Sequence, residues 1–320
     1  MNFVHDDPEF RDLVRIVAQD RGIAPGLVEK DYWVTHTLWS LLRQGFELWF
    51  KGGTSLSKGF LLIQRFSEDL DLKLEPGAVA GVPTVENWKS TAKGPVAARR
   101  RLFAALAKVV LVPATSLELD LELDSSLRSG GLRIRYPGHH LGDLGDAFRP
   151  FVLLEIGNAR VVPFVTRDLS SFVHDHLGRI GERANYEDNR PHNVRCVHPV
   201  VTLLEKLDAI GKRFAKDAEP PTFVRHFEDA AQVIAGGSAL PRLGSHADPM
   251  ELATEMLDER QLAALPDATD AAFAPDSSAR WKAVKAAHAA IAPMFWGPRI
   301  PLEDACAAIR GWIGSHLGSK

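Results

Sequence analysis

The sequence predicts an α+β fold followed by a helical part, with the boundary near residue 198. Three observations carry this. Alternating apolar patterns mark strands through the first two-thirds of the chain, and from Pro199 onward the apolar period turns helical. Strands followed by a run of helices read as α+β, not as a repeated βα unit. Two adjacent glycines, Gly52 and Gly53, mark a tight turn between a strand and a helix. The expected domains are residues 1–198 and a helical domain over 199–320.

The elements follow in order. Residues 8–21 carry Phe10, Leu13, Val14 and Val17 at i, i+3, i+4 and i+7, the stripe of an amphipathic helix. Pro25 opens a second helix over 25–44, with Trp33, Val34, Leu38, Leu41 and Leu42. Residues 46–50 alternate as a strand, 51–58 turn into a helix, and 67–74 alternate strictly as a second strand. Residues 76–95, rich in Pro, Gly and Ala, read as a loop before a helix at 96–110. Strands are expected at 117–123, 131–136, 151–157 and 160–165. Helices are expected at 199–215, 221–235, 248–264, 277–291 and 301–317.

Composition narrows the class. The chain has 320 residues, 45% apolar and 25% charged, an ordinary globular balance that supports a full core. The N-terminus lacks the basic region and apolar stretch of a signal peptide, and no apolar run is long enough to span a membrane. The only cysteines, Cys196 and Cys306, have no metal-type spacing, which fits reduced thiols in a cytoplasmic protein. A net charge of −3 gives no global reason to expect nucleic acid, so any such contact must be a local basic patch.

Chemistry concentrates in Phe46 to Leu74. The glycine turn lets the backbone approach a ligand, and the helix behind it presents free N–H groups, an arrangement suited to a triphosphate. Ser55 adds a hydroxyl and Lys58 a cation. On the following strand Asp69, Asp71 and Lys73 share one face while Leu70, Leu72 and Leu74 face the core. Two neighbouring carboxylates repel unless a cation lies between them, and Mg²⁺ accepts such oxygen ligands together with phosphates. An alternating acidic strand alone is often a solvated face. Leu117 to Asp124 shows the same alternation, with Glu118, Asp120, Glu122 and Asp124, but lacks the glycine turn.

With those residues in view, Phe50-Lys51-Gly52-Gly53-Thr54-Ser55-Leu56-Ser57-Lys58 and Arg65-Phe66-Ser67-Glu68-Asp69-Leu70-Asp71-Leu72 resemble the AbiEii/AbiGii-type nucleotidyltransferase toxins. Glu29-Lys30-Asp31-Tyr32-Trp33-Val34, the helix Pro199 to Ala209 and Arg225-His226-Phe227-Glu228-Asp229 resemble further blocks of that family. The resemblance implies a DNA polymerase β-like nucleotidyltransferase fold with a mixed sheet, followed by a helical domain. It implies that Gly52, Gly53, Thr54, Ser55, Lys58 and Ser67 form the nucleotide-binding set. Asp69 and Asp71 would bind Mg²⁺, with Mn²⁺ as an alternative, and Lys206 and Asp229 would complete the site in the cleft between the parts, Lys206 at the triphosphate. The implied reaction moves a nucleotide from an NTP to an RNA 3′-hydroxyl, in known cases that of tRNA, which stops translation. A cognate antitoxin is the implied protein partner. A small-molecule or protein acceptor, or a non-catalytic binding module, remain the rival functions.

Four readings stay open on the residues alone. A third carboxylate is expected on a later strand, where Glu155, a charge inside an apolar run, competes with Asp120, whose neighbours suggest a solvated face. Pairing of Glu155 with Arg160 or another arginine is the plain alternative. Arg225 and Asp229, at i and i+4, read without the family pattern as a surface ion pair, and Lys206 as an exposed lysine. Arg99-Arg100-Arg101, Arg133 with Arg135, and Lys212, Arg213 and Lys216 are candidate phosphate contacts or solvated faces, and His174-x-His176 a weak metal pair.

Overall fold

A computed structural model describes residues 1–67, 69–120, 126–144 and 148–318. Glu68, Glu122 and Asp124 lie outside the described residues. The chain divides into two compact units. The first comprises Met1–Thr54, Ser67–Ala159 and Thr166–Cys196, and the second Ser55–Phe66, Arg160–Val165 and Val197–Lys320.

Among the described residues seven strands form one mixed sheet: β1 (Glu47–Lys51), β2 (Asp69–Glu75), β3 (Ser116–Asp120), β4 (Ser129–Arg135), β5 (Val152–Gly157), β6 (Phe164–Arg167) and β7 (Val194–Val197). Their order is β3-β4-β5-β2-β1-β7-β6. β1 runs antiparallel to β2, with Lys51 opposite Asp71, and β2 runs parallel to β5, with Asp71 opposite Glu155. β5 is buried at Val152, Leu153, Leu154 and Ile156, as a central strand should be.

The helices of the first unit are α1 (Phe10–Arg21), α2 (Pro25–Gln44), α4 (Lys93–Val109) and α5 (Phe172–Arg179), while α3 (Gly52–Lys58) starts in that unit. α2 has Pro25 at its first turn and ends at Gly45, whose φ of 96° suits a residue without a Cβ. It is buried nearly all round, charges included. Successive helical residues point about 100° apart, so three adjacent charges reach three different segments. The Glu29 carboxylate accepts from the amides of His139 (2.8 Å) and His140 (2.9 Å). Lys30 Nζ donates to the Arg149 carbonyl at 2.8 Å. Asp31 accepts from the Phe172 amide at 2.8 Å, at the start of α5. The EKDYW-type block thus fastens loops to the helix through groups that burial would otherwise penalise.

α4 lies on the sheet through Arg99, Leu102, Phe103 and Leu106. A Cβ at Gly130 would stand 2.4 Å from the Phe103 ring, so only glycine lets the helix settle there. Gly130 pairs with Ile156, and Ile156 with Leu72. By the pleat, α4 covers the leucine face of β2, and Asp69, Asp71 and Glu155 are on the opposite face.

The second unit contains α6 (Pro199–Ala215), α7 (Arg225–Gly236), α8 (Pro249–Asp258), α9 (Ala279–Ala290) and α10 (Leu302–His316). Phe227 packs on Phe223 and Trp281 in its core. The segment 55–66 joins this unit through backbone bonds from Phe66 N to Met294 O (2.8 Å) and Trp296 N to Gln64 O (3.0 Å). No helix among the described residues is long and apolar enough to cross a membrane.

Several elements differ from the sequence reading. The strand expected at 160–165 begins only at Phe164, and Arg160 is instead committed to Glu255 and Glu259. The helix expected at 221–235 starts at Arg225 after a 3₁₀ turn over Pro220–Thr222, and that at 248–264 stops at Asp258. α4 starts earlier than expected, with Pro95 tolerated in its first turn. α5 and β7 are additions, too short to show a period.

A polar chain runs through the first unit beside α2. Asn189 Nδ2 donates to Tyr32 Oη (3.0 Å) and His36 Nδ1 (2.8 Å), and His174 Nε2 donates to Asn189 Oδ1 (2.7 Å). Burial and the neighbouring His5 push the His36 pKa from 6.5 down to about 3. The unfolded chain therefore takes up this proton near pH 6.5 while the folded chain resists it to about pH 3. The stability that His36 contributes is complete above pH 6.5 and is lost as the pH falls through that window. His36→Gln, which keeps a donor and an acceptor, should flatten the fall of melting temperature between pH 6.5 and 4. Superimposable pH curves for the two proteins would assign the acid sensitivity to other groups.

Candidate active site

The carboxylate cluster is a product of strand register. Asp71 lies opposite Lys51 on one side and opposite Glu155 on the other, and Asp69 follows on the same face of β2. Neighbouring strands are about 4.8 Å apart, so like charges are forced together. Burial first, then Asp71 and Asp69, raise the Glu155 pKa from 4.5 to about 7, while Lys51 and Arg149 oppose the rise. Register thus sets Glu155 beside Asp71. Arg160 is not its partner, since it pairs with Glu255 and Glu259; the arginine whose charge acts on Glu155 is Arg149. Asp120 is not solvated: it is buried and takes Arg133 Nε at 2.9 Å.

The glycine turn is built around this cluster. Gly52 has φ 71°, and a Cβ there would fall 1.9 Å from Asp71 Oδ2. Backbone and carboxylate can share that space only because residue 52 has no side chain. Thr54 Oγ1 donates to the carbonyls of Asp69 (2.7 Å) and Ser67 (3.3 Å), strapping the start of α3 to the start of β2. Gly53 is buried inside α3, Ser67 is half-buried, and Lys58 closes the helix. Asp69 Oδ1 accepts from Arg149 Nη1 at 3.1 Å. Among the described residues no three acidic, histidine or cysteine side chains form a ready metal cage. The turn of Asp69 toward Arg149 is consistent with that.

Ser55, Lys206 and Asp229 belong to the second unit. The Ser55 hydroxyl is buried and has no hydrogen-bond partner among the described atoms, a state that normally requires a missing ligand or water. Lys206 is buried, contrary to the plain reading of an exposed lysine. Its Nζ donates to Asp229 Oδ2 at 2.7 Å, and Arg65 grips the same carboxylate through Nε (2.6 Å) and Nη2 (2.7 Å). Burial works to raise the Asp229 carboxyl, but the Arg65 and Lys206 charges hold it far below its ordinary range. Lys206 is itself lowered by burial against the pull of Asp229. The surface pair between Arg225 and Asp229 is replaced by this buried three-member bridge.

The remaining candidates divide. His174 uses both ring nitrogens on Ser171 and Asn189, and His176 pairs with Asp20, so the His-x-His pair is structural. Arg99 is buried and donates to the carbonyls of Asn87, Ser90 and Ser126. Arg133 and Arg135 pair with Asp120 and Glu118, and Lys212 with Asp208. Arg149, Lys30 and Lys51 were not singled out by spacing, because Lys51 acts across strands, Arg149 from a loop and Lys30 from α2 onto that loop. Arg65 had a signal, its place in the block before Asp69, but no partner visible in sequence.

Two predictions follow from this geometry. Gly52→Ala should cost at least about 1–2 kcal/mol from backbone strain and displace the Asp71 carboxylate, so transfer activity should fall more steeply than melting temperature. The folded form of Glu155 binds its proton more tightly than the unfolded chain, so its charge destabilises the protein as pH rises through about 7. Glu155→Gln should accordingly raise the melting temperature by roughly 2–5 °C at pH 8 and have little effect at pH 5. An equal shift at both values would remove charge repulsion as the cause.

No curated protein and no solved structure matches the chain. A family model described as "Nucleotidyl transferase AbiEii toxin, Type IV TA system" matches residues 39–301. The match contains the glycine turn, the three carboxylates, Arg149, Lys206 and Asp229, and begins after the Glu29–Val34 block. With most of its length matched, the chain belongs to the AbiEii family of nucleotidyl transferase toxins.

Proposed function

We propose that this protein transfers a nucleotide from an NTP to the 3′-hydroxyl of an RNA, with tRNA the first candidate, and that it acts as the cytoplasmic toxin of a pair completed by a cognate antitoxin. The observation that carries the chemistry is the register that groups Asp69, Asp71 and Glu155 beneath the Gly52 backbone. The fold reading is a polymerase β-like core, residues 1–198, followed by a helical domain, 199–320.

A divalent cation fits the donor set. Register sets the Glu155 carboxylate beside Asp71, with Asp69 on the same face of β2, and all these ligand atoms are hard oxygens. Asp69, Asp71 and Glu155 would hold Mg²⁺ or Mn²⁺, which supplies neutralisation of developing charge on the phosphates. The chain does the rest. Gly52 and Gly53 admit the triphosphate close to the backbone, the unpartnered Ser55 hydroxyl donates to a phosphate oxygen, and Lys58 adds charge. Lys206, presented by Asp229 and Arg65, serves the triphosphate. The acceptor hydroxyl attacks the α-phosphate, the bond to the β-phosphate breaks, and pyrophosphate leaves.

RNA is favoured over a small acceptor by charge segregation on α4. Besides Arg99, which is buried on backbone carbonyls, this helix has Lys93, Arg100, Arg101 and Lys108 and no acidic residue, in a chain of net charge −3. Lys93, Arg100 and Arg101 border a shallow groove of about 560 Å³ lined otherwise by Thr91, Val96, Ala97 and Ala104. A surface this basic and without aromatic anchors suits a phosphate backbone better than a protein partner.

Asp69→Ala and Asp71→Ala should each abolish transfer of label from α-labelled NTP to total cellular RNA while circular dichroism stays native. Full activity in either variant sinks the metal assignment, and label arriving on protein or small molecules instead moves the acceptor.

A further inference from the structure

We propose that Arg149 is the resident counter-cation of the carboxylate cluster, holding Asp69 until a divalent cation arrives and then transferring to the triphosphate. Lys30 is the positioning residue that makes this exchange possible. The proposal rests on the metal-dependent reading above.

The two halves of Arg149 are treated differently. Its carbonyl accepts from Lys30 Nζ at 2.8 Å, and Lys30 is 0% exposed. A buried ammonium is costly, and here it is placed on the backbone of the residue that reaches Asp69. Glu29 and Asp31 on either side of Lys30 fix the same turn of α2 to other loops, so the anchor itself cannot drift. The Arg149 side chain, by contrast, is 45% exposed where it meets Asp69 at 3.1 Å. A fixed base and a long, accessible guanidinium make an arm that changes partner without moving the chain.

Charge balance gives the exchange its direction. Lys51 is set by strand register against Asp71, and Arg149 Nη1 contacts Asp69 Oδ1 at 3.1 Å. A divalent cation that takes Asp69 as a ligand competes with Arg149 for the same carboxylate. The incoming triphosphate supplies several negative charges, and guanidinium matches phosphate oxygens in a planar fork. Metal and nucleotide together therefore release Arg149 from the carboxylate and give it a better partner.

The signature is a pair of effects with opposite signs. Titrated calorimetrically with Mn²⁺ alone, the Arg149→Ala protein should bind the ion several-fold more tightly than wild type. The same variant should bind a non-hydrolysable NTP analogue, at saturating Mn²⁺, about tenfold or more weakly. Arg149→Lys keeps the charge but not the fork, so it should restore the wild-type Mn²⁺ affinity and only part of the nucleotide affinity. Lys30→Met should shift both affinities in the Arg149→Ala direction by smaller factors. Parallel weakening of ion and nucleotide, or no change in either, overturns the counter-cation role while leaving the metal site intact. Mn²⁺ binding that is absent from wild type, or unaltered by Asp71→Asn, overturns the metal reading and this proposal with it.

Discussion

The repulsion among Asp69, Asp71 and Glu155 is the constraint around which the first unit is organised. Strand register creates it by placing Asp71 directly between Lys51 and Glu155. Nothing in strand packing requires acids at these positions, since the neighbouring Leu70, Leu72, Leu154 and Ile156 supply the burial. The surrounding features answer the repulsion in turn. Gly52 leaves room for the Asp71 carboxylate, Thr54 straps the turn to β2, and Arg149 and Lys51 bring positive charge. A cluster that destabilises its own fold persists where function needs the charge, and a cation offsets the cost only while bound.

Buried charge serves a second purpose in this chain, as a fastener. On α2, Glu29, Lys30 and Asp31 each satisfy backbone groups of a different loop. In the second unit Asp229 binds Arg65 and Lys206, and the adjacent Glu228 takes Arg299 Nε and the Ile300 amide. Such contacts add little net stability over an apolar core, yet removing one partner costs several kcal/mol because the other is left buried and charged. They therefore fix geometry more than they add energy. For Lys206 this has a direct consequence. An ammonium held between Asp229 and the His226 ring has a defined direction that an exposed lysine lacks.

Local sequence disclosed the parts of the site that are local. Gly52, Gly53, Asp69 and Asp71 fall within one strand–helix–strand passage, and the period of β2 alone sorts its acids from its leucines. Glu155 was legible for a different reason, as a charge inside a continuous apolar strand. Its partner was not, because 76 residues separate the end of β2 from the start of β5 and register is not written in either strand alone. Lys51 was missed on the same ground, and Arg149 because it reaches Asp69 from outside the sheet. Asp120 was misread as solvated because alternation reports which residues share a face and not what covers that face. Arg133, two residues along β4 from the Gly131 that pairs with Asp120, covers it. The helix expected to end at 264 shows the complementary failure, since apolar spacing persists past Asp258 although the backbone has already turned at Arg260, with φ 58°.

The two cations at the cluster are not equivalent, and the difference follows from where each begins. Lys51 leaves from a strand whose register is fixed on both sides, by β2 and by β7. Its ammonium is a point charge with a settled origin, suited to permanent neutralisation. Arg149 leaves from a segment outside the sheet, held at its carbonyl by one buried lysine, and ends in a planar fork that fits carboxylate and phosphate alike. Exchanging the two residues would keep the net charge and lose the division of labour. The guanidinium would be confined to the strand, and the ammonium would make single contacts with oxygens that invite two. The arrangement found here puts the long, forked cation on a base fixed outside the sheet and the point charge on the strand.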